Sequence, residues 1–214
     1  EQNSDVLKRT LEVVETKFAK ILHRIKWLNM GGGLHITAEN FDTELLISEI
    51  NRIKEKYSLE IYLEPGEAVA LDAGFLVTEV LDIVENGKKI AILDTSAECH
   101  MPDVLEMPYT PRIIGAFSDS DNEDFTLKSE NSAETYAYRL AGNTCLAGDI
   151  IGDYRFENPL KVGDRLTLCD MAIYSMVKNN TFNGVKLPSI VLKKKNGECE
   201  IVKEFGYEDF KRKL

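Results

Sequence analysis

The apolar residues of the first seventy positions alternate between helical and extended spacing. Over residues 4–24 they recur every three or four positions, as Leu7, Leu11, Val14, Phe18 and Ile21/Leu22. This spacing predicts a helix capped by Ser4 or Asp5. The same spacing over residues 43–57 predicts a second helix, with an apolar face of Leu46, Ile50 and Ile53. The stretches IKWLNM and LEIYLEPGEA each predict a short strand, so the order is typical of a parallel α/β structure.

Beyond about residue 69 the apolar residues form extended runs instead. GFLVTEVLDIVENGKKIAILDTS predicts two strands joined at Asn86-Gly87, a strong hairpin signal. Three further runs predict strands, namely TYAYRLAG, DRLTLCDMAIYSMV and SIVLKKKNGECEIVKEF, the last with a turn at Asn196-Gly197. Residues 117–134 are polar and acidic and predict an exposed, mobile loop. The expected fold class is therefore an α/β part followed by a mostly antiparallel β part.

Composition narrows the class of partner. A formal net charge of −10 argues against nucleic acid or an anionic membrane as the main partner. No apolar run approaches the ~20 residues that span a bilayer, and the N-terminus has no signal-peptide character. The four cysteines lie far apart without a CxxC pair and the three histidines are scattered, so no metal site is expected. Reduced thiols in a cytosolic protein are the expected state.

Three consecutive glycines, Gly31, Gly32 and Gly33, follow the first predicted strand. They form either a flexible turn or a loop whose backbone N–H groups approach an anion without a Cβ in the way. A second unusual motif, Glu64-Pro65-Gly66-Glu67, follows the next predicted strand. Because chemistry in parallel α/β folds lies at the C-terminal ends of strands, the shared position favours a site.

The remaining candidates each allow more than one interpretation. Glu64 can bind a protonated ring nitrogen, coordinate a cation or accept backbone N–H groups. Cys145, in GNTCLAGDIIGDY, can donate a proton or act as a nucleophile, or it can be a small buried residue. Asp103 lies at a proline turn, where ordinary hydrogen bonding is the alternative to a role in a site. Tyr174 precedes a loop, and a core tyrosine is more common than one whose hydroxyl meets a phosphate.

Taken in order, these motifs resemble the alanine-racemase-fold (fold type III) pyridoxal-phosphate decarboxylases, the family of ornithine and diaminopimelate decarboxylases. Within that family the chain is most similar to the subfamily that decarboxylates carboxynorspermidine or carboxyspermidine. The similarity extends over all of the chain except 117–134, through KWLNMGGGLHIT, YLEPGEAVALDAGFLV, AILDTSAECHMPDVLEMPY, GNTCLAGDIIGDY, MVKNNTFNG and FGYEDF. It implies the C-terminal part of a PLP-binding (β/α)8 TIM barrel over residues 1–70. A mostly antiparallel β-barrel or sandwich domain is implied over residues 71–214.

The resemblance also implies roles for individual residues. The cofactor would be pyridoxal 5'-phosphate, with its phosphate bound by Gly31, Gly32 and Gly33 and by the hydroxyl of Tyr174. Glu64 would pair with the pyridine nitrogen, next to Gly66. Cys145 would reach across a homodimer interface, where it protonates the carbanion after CO2 is lost.

Two departures from the ornithine decarboxylase pattern bear on specificity. Glu67 stands where that group has an arginine, and Leu146 stands where it has an acidic residue. Losing a cation and gaining an anion suggests a multiply cationic carboxy-polyamine substrate. The resemblance then implies that Glu67, Asp103 and Asp149 bind its amines.

A third departure concerns the lysine that holds the cofactor in this family. No lysine in this chain lies in the sequence context of that lysine, and this includes Lys26. We therefore expect the chain to be the C-terminal part of a longer enzyme and to be inactive alone. The alternatives are a decarboxylase of diaminopimelate or ornithine type, a racemase of the same fold, or a non-catalytic regulatory homologue that binds a polyamine or a partner enzyme. Glu67 and Leu146 argue against diaminopimelate, and the Cys145 loop argues against a racemase.

Overall fold

A computed structural model describes residues 3–118 and 135–214, so all of the predicted exposed loop beyond Ser118 lies outside the described residues. The chain divides into two compact units, Glu1–Leu71 and Asp72–Leu214. No helix in the described residues is long and apolar enough to cross a membrane.

The first unit alternates helix and strand, as predicted. Its elements are α1 (Ser4–Leu22), β1 (Trp27–Asn29), α2 (Thr43–Tyr57), β2 (Glu60–Tyr62) and α3 (Gly66–Ala70). The two strands pair in parallel, with Trp27 opposite Glu60 and Asn29 opposite Tyr62. Parallel pairing brings the C-terminal ends of both strands to one edge.

The helices of this unit enclose a core that the sequence pattern predicts in large part. Leu7, Leu11, Leu22, Leu46 and Ile53 are all buried in it. Two details of α1 differ from expectation. Its N-cap is Asn3, whose side chain accepts from the amide of Ser4. Phe18 and Ile21 of the predicted face are about half exposed, at 48% and 54%.

The second unit is built on a six-stranded sheet. Its strands are β3 (Phe75–Asn86), β4 (Lys88–Leu93), β5 (Ala116–Ser118), β6 (Tyr136–Ala141), β7 (Ile150–Phe156) and β8 (Arg165–Cys169). Their order is β5-β7-β6-β4-β3-β8, and every neighbouring pair is antiparallel except β4 and β6. The predicted hairpin joins β3 to β4 through Gly87, whose φ of 71° suits glycine. A separate antiparallel hairpin pairs β9 (Ile190–Lys193) with β10 (Cys199–Lys203).

In the described part of the chain, three short helices lie between these strands, and a fourth follows the last strand. They are α4 (Ala97–His100), α5 (Asp103–Glu106), α6 (Tyr174–Val177) and α7 (Tyr207–Lys211). The predicted strand over DRLTLCDMAIYSMV is correct only as far as Cys169. Asp170 then adopts a left-handed backbone with φ of 59°, and its carboxylate accepts from the amide of Asp72 at 2.8 Å. This turn ends the strand, and α6 follows it.

Candidate functional site

The glycine loop Gly31–Gly33 and the turn after β2 lie side by side in the first unit. Beyond the strands, the amide of Met30 donates to the carbonyl of Tyr62 at 2.9 Å. The amide of Glu64 donates to the carbonyl of Gly31 at 2.8 Å. Parallel pairing therefore continues past the strand ends and holds the glycine loop against Glu64.

Each of the three glycines has a physical reason. Gly31 and Gly33 have φ of 73° and 80°, in the left-handed region that side chains rarely adopt. A Cβ on Gly32 would overlap the carbonyl oxygen of Glu64. The missing Cβ of Gly32 therefore makes room for the neighbouring turn.

Asn29, at the end of β1, joins the loop to the glutamate. Its Nδ2 donates to Glu64 Oε1 at 2.5 Å, and its Oδ1 accepts from the amide of Gly31 at 2.8 Å. One amide side chain therefore fixes both the carboxylate and the entry of the loop. Sequence reasoning missed Asn29, although its position two residues before Gly31 at a strand end was a usable signal.

The glycine loop and Glu64 remain accessible to a ligand. Gly32, Gly33 and Glu64 are all exposed. Across the residues that the structure describes, the amides of Gly32 and Gly33 donate to no protein acceptor, whereas the amide of Gly31 does. Free backbone amides beside an accessible carboxylate suit a ligand with both an anionic group and a cationic one.

Gly66 and Glu67 complete this edge. The amide of Gly66 donates to the carbonyl of Glu64 at 2.8 Å, which tightens the turn that begins α3. Glu67 Oε2 lies 3.2 Å from Nδ1 of His35, which follows the glycine loop. Sequence reasoning did not pair these residues, because nothing local to either shows that the two loops meet.

In the second unit, Cys145 lies exposed on the loop between β6 and β7. Its Sγ accepts from the side-chain amide of Asn183 at 3.0 Å. Asn183 belongs to a single 3-10 turn, Phe182–Gly184, and sequence reasoning gave it no role. The Asn-Gly pair marked the turn but not its contact with the cysteine.

Asp149, at the end of the same loop, is 4% exposed, and both of its carboxylate oxygens are occupied. Oδ1 accepts from Ser96 Oγ at 3.0 Å and from the amides of Ala97 at 2.7 Å and Glu98 at 3.3 Å. Oδ2 accepts from the hydroxyl and the amide of Thr144 at 2.7 and 3.2 Å. This geometry gives Asp149 the task of joining the Cys145 loop to α4, where the sequence led us to expect a contact with substrate.

Asp103 begins α5 and is also 4% exposed. Its Oδ2 accepts from the hydroxyl of Tyr109 at 2.6 Å. Burial and this bond raise the pKa of the Tyr109 phenol. Among the described residues Asp103 Oδ1 has no hydrogen-bond partner, which is costly for a buried carboxylate oxygen.

Tyr174 begins α6, which packs against α5, and its side chain is exposed. The Nζ of Lys178 lies over the Tyr174 ring, 5.5 Å from its centroid. Lys178 also pairs with Glu106. The phenol is therefore presented beside a cation.

The predicted site residues thus fall into two groups. Gly31–Gly33, Glu64, Gly66 and Glu67 lie together at one edge of the first unit. Cys145 and Asp149 share a loop of the second unit, and Asp103 and Tyr174 lie on two of its packed helices. Within residues 3–118 and 135–214, no group of three His, Cys, Asp or Glu side chains is placed to hold a metal ion.

Comparison with known proteins places this arrangement in a family. The chain is 45% identical over 212 residues to the carboxynorspermidine/carboxyspermidine decarboxylase of Campylobacter jejuni, covering 98% of this chain and 55% of that protein. It is 42% identical over 210 residues to the carboxyaminopropylagmatine decarboxylase of Synechocystis, covering 97% of this chain and 51% of that protein. The chain spans about half the length of the curated relatives it matches.

Solved structures of decarboxylases are similar to this chain as well. The crystal structure of carboxynorspermidine decarboxylase from C. jejuni, complexed with norspermidine, matches with a TM-score of 0.85 and 42% identity. The match covers 100% of this chain and 58% of that one. Diaminopimelate decarboxylase from Methanocaldococcus jannaschii shares the fold, with a TM-score of 0.69 and 23% identity over 92% of this chain and 46% of that one. Residues 13–172 match the family described as the C-terminal sheet domain of pyridoxal-dependent decarboxylases, and the chain therefore belongs to the pyridoxal-dependent decarboxylase family.

Proposed function

We propose that this chain forms part of a decarboxylase that converts carboxynorspermidine or carboxyspermidine into norspermidine or spermidine. The identity of 45% to a relative with that name supports this choice over diaminopimelate decarboxylases, such as that of Haemophilus influenzae at 28%. The observation that carries the proposal is the contact between the glycine loop and Glu64, both held by Asn29. In this proposal the first unit is the last part of a (β/α)8 barrel.

The residues at this edge fit pyridoxal phosphate. The free amides of Gly32 and Gly33 would hold the phosphate, as backbone amides in left-handed loops do elsewhere. Tyr174 would add a hydroxyl donor. Glu64 would hold the protonated pyridine nitrogen, with Asn29 fixing its second oxygen and Gly66 shaping its turn. When bound, the cofactor supplies an electron sink that stabilises the carbanion left by CO2 loss.

Cys145 would return a proton to the substrate carbon that has lost CO2. We propose that it does so from the second subunit of a homodimer. Its exposure in the described chain is consistent with a side chain that faces a partner. A thiol at that position acts as a general acid.

Glu67 and Asp103 would bind the amines of the substrate. Glu67 is partly exposed and already pairs with His35, so an ammonium group can compete for its carboxylate. Asp103 Oδ1 needs a donor, but an amine can reach it only after the side chains that cover it move. We propose that Asp149 instead supports the Cys145 loop, because five donors already occupy its oxygens.

The experiment uses the full-length protein that contains this chain, loaded with pyridoxal phosphate. CO2 release is measured with carboxynorspermidine, carboxyspermidine and meso-diaminopimelate. We expect turnover of the two carboxy-polyamines, and a loss of at least about 100-fold in kcat for Glu64→Gln, which keeps shape but removes charge. Glu60→Gln is the matched control, since Glu60 lies on the strand that leads to Glu64 and its carboxylate accepts from Tyr62.

Two outcomes would contradict the proposal. Faster CO2 release from meso-diaminopimelate would assign the protein to that group of decarboxylases. Binding of norspermidine without CO2 release from any of the three acids would indicate a non-catalytic homologue.

A further inference from the structure

Asn183 contacts Cys145 from a loop that is distant in sequence. The side-chain amide of Asn183 donates to Cys145 Sγ at 3.0 Å across 38 positions of the chain. Asparagines in turns usually bond to backbone groups nearby. Here Asn180 does so, accepting from the amide of Phe182 at 2.9 Å, while Asn183 reaches across to a sulfur atom.

The backbone at Asn183 is unusual for a residue with a side chain. Its φ is 54°, and Gly184 follows with φ of 77°. Asparagine tolerates the left-handed region better than most residues, at a cost that glycine would avoid. A glycine would serve the turn better at this position, so the side chain itself needs a reason.

One short segment, residues 96–100, contacts both the loop of Asn183 and the loop of Cys145. The loop of Asn183 is tied to α4 through Asn180, whose amide donates to the carbonyl of Cys99 and whose Nδ2 donates to the carbonyl of Glu98, both at 2.8 Å. His100 Nε2 lies 3.0 Å from the carbonyl of Lys186. The loop of Cys145 is tied to the same segment through Asp149.

The His100 contact has a defined proton arrangement. Its Nδ1 accepts from the amide of Ser96 at 3.1 Å, so Nε2 carries the proton that is donated to Lys186. Burial lowers the pKa of His100, which keeps the ring neutral. Residues 96–100 therefore form a scaffold that fixes the thiol and the amide relative to each other.

We propose that Asn183 is a positioning residue for Cys145, an inference that rests on the proposed role of Cys145 as proton donor. When the S–H bond breaks, the proton moves to the substrate carbon and the electron pair stays on sulfur. The N–H of Asn183 points at that sulfur and stabilises its negative charge, because hydrogen bonds to ionised acceptors are stronger than those to neutral ones. Asn183 also orients the thiol before the transfer.

The test compares Asn183→Asp with Asn183→Gly in the full-length protein. Aspartate keeps the shape and tolerates the left-handed backbone but offers sulfur a negative oxygen in place of a donor. Glycine relaxes the backbone and removes the side chain. Asn179→Asp is the matched control, since it introduces the same charge in the same loop without a contact to sulfur in the described structure.

The first readout is the rate at which iodoacetamide alkylates Cys145, followed by the mass of its peptide. At pH 7 we expect Cys145 to be alkylated about threefold more slowly in both Asn183 variants than in the parent. Without the donor less thiolate is present, and the higher nucleophilicity of the remaining thiolate offsets only part of this loss. At pH 10 ordinary thiols are largely ionised, so the variants should react at least as fast as the parent. A change in access alone would slow the reaction equally at both pH values and would overturn the proposal.

The second readout is turnover of carboxynorspermidine. We expect kcat to fall about tenfold in Asn183→Asp with KM unchanged, since the lost interaction strengthens only as charge develops on sulfur. Equal alkylation of parent and both Asn183 variants at pH 7 would overturn the proposal, and so would an equal effect of Asn179→Asp. Slower alkylation with unchanged turnover would support the contact but reject Cys145 as the proton donor.

Discussion

The two units hold their candidate residues by different means. In the first unit, Gly31–Gly33 and Glu64 follow paired parallel strands, and the strand register itself brings them together. In the second unit, Cys145 and Asn183 lie on two loops that no strand pairing joins within the described residues. There a buried carboxylate and a short helix do the positioning, through Asp149 and residues 96–100.

This difference has consequences for both tolerance and function. A site held by strand register depends on small residues where backbones approach, such as Gly32. A site held by buried hydrogen bonds depends on each donor keeping its acceptor, since an unpaired buried group costs about 1–3 kcal/mol. Substitutions should therefore impair the two regions in different ways, and four measurements distinguish these effects.

The largest expected effect comes from mixing variants of the two units. Glu64→Ala and Cys145→Ala should each be nearly inactive in the full-length protein. If each site combines the first unit of one subunit with the second unit of its partner, random exchange restores about a quarter of the wild-type sites. The measurement is CO2 release from carboxynorspermidine after the subunits have exchanged.

The matched control for this mixture is Glu64→Ala with Gly31→Val, both in the first unit, which should stay inactive. Recovery in that control, or no recovery in the test mixture once a tag pull-down shows heterodimers, would reject shared sites.

The next effect concerns the buried carboxylate. Asp149→Ala leaves the amides of Ala97, Glu98 and Thr144 without their acceptor, and we expect a loss of about 3 kcal/mol or more in unfolding free energy of the second unit. Hydrogen exchange followed by mass spectrometry should show faster exchange in peptides of residues 94–107 and 142–149. Asp164→Ala is the control, because the Asp164 carboxylate accepts from the amide of Lys161 at an exposed turn. Equal losses of unfolding free energy in the two variants would show that Asp149 contributes no more than an exposed carboxylate.

A glycine pair probes the first unit. Gly32→Ala forces a methyl group against the carbonyl of Glu64, which should cost about 1–3 kcal/mol and loosen cofactor binding. Gly206→Ala is the control, since a methyl group there would meet nothing within 4 Å, its φ of −145° suits any residue, and it lies outside the proposed cofactor site. The measurement is the pyridoxal phosphate concentration that half-saturates each variant by absorbance. Identical saturation curves would show that the Gly32 contact does not shape the loop.

The smallest effect concerns the acid stability of the first unit. Burial of Glu15 raises its pKa, but bonds from Lys56, Arg52 and Tyr57 outweigh this and lower it to about 2. Because the folded-state pKa lies below the unfolded value of about 4.3, this contribution is complete above about pH 5 and is lost as the pH falls toward about 2. The pKa difference corresponds to about 3 kcal/mol, and the expected contribution is about 2 kcal/mol because Arg52 and Lys56 are partly exposed and water screens these pairs.

Glu15→Gln should therefore lower stability at pH 7 and flatten its decline between pH 5 and 3, as measured by thermal unfolding at each pH. Glu12→Gln is the control, since Glu12 lies exposed on the same helix. A variant whose acid decline parallels the parent would remove Glu15 as its cause.

Sequence reasoning succeeded where a local signal reports a local structure. The helix over 43–57 and the Asn86-Gly87 hairpin are confirmed residue by residue, because periodicity and turn chemistry determine them. It also placed the glycine loop and Glu64 on one edge, because parallel strands end together. It missed β5 and β7 and extended the strand beyond Cys169, where the left-handed turn at Asp170 ends it.

The remaining misses share a cause. His35 and Asn183 contact residues 32 and 38 positions away, and no pattern in one sequence reports such contacts. Asn29 contacts Glu64 at a similar separation, but its position at the strand end before Gly31 was a local signal that could have been used. The resemblance implies that Asp149 binds substrate, and nothing in the sequence shows that it is buried and bonded to α4. Roles that the family resemblance assigns to Tyr174 and Cys145 remain predictions.

Among the described strands of the six-stranded sheet, β4 and β6 form the one parallel pair, and this has a consequence for how the fold can diversify. Parallel neighbours cannot be joined by a tight turn, so the chain between Leu93 and Tyr136 must cross from one end of the pair to the other. That crossover carries Ser96, Ala97 and Asp103, whereas the register of the sheet is set by the strands themselves. The fold can therefore vary in the parts of this crossover that lie outside α4 and β5, because α4 holds Asp149 and β5 belongs to the sheet.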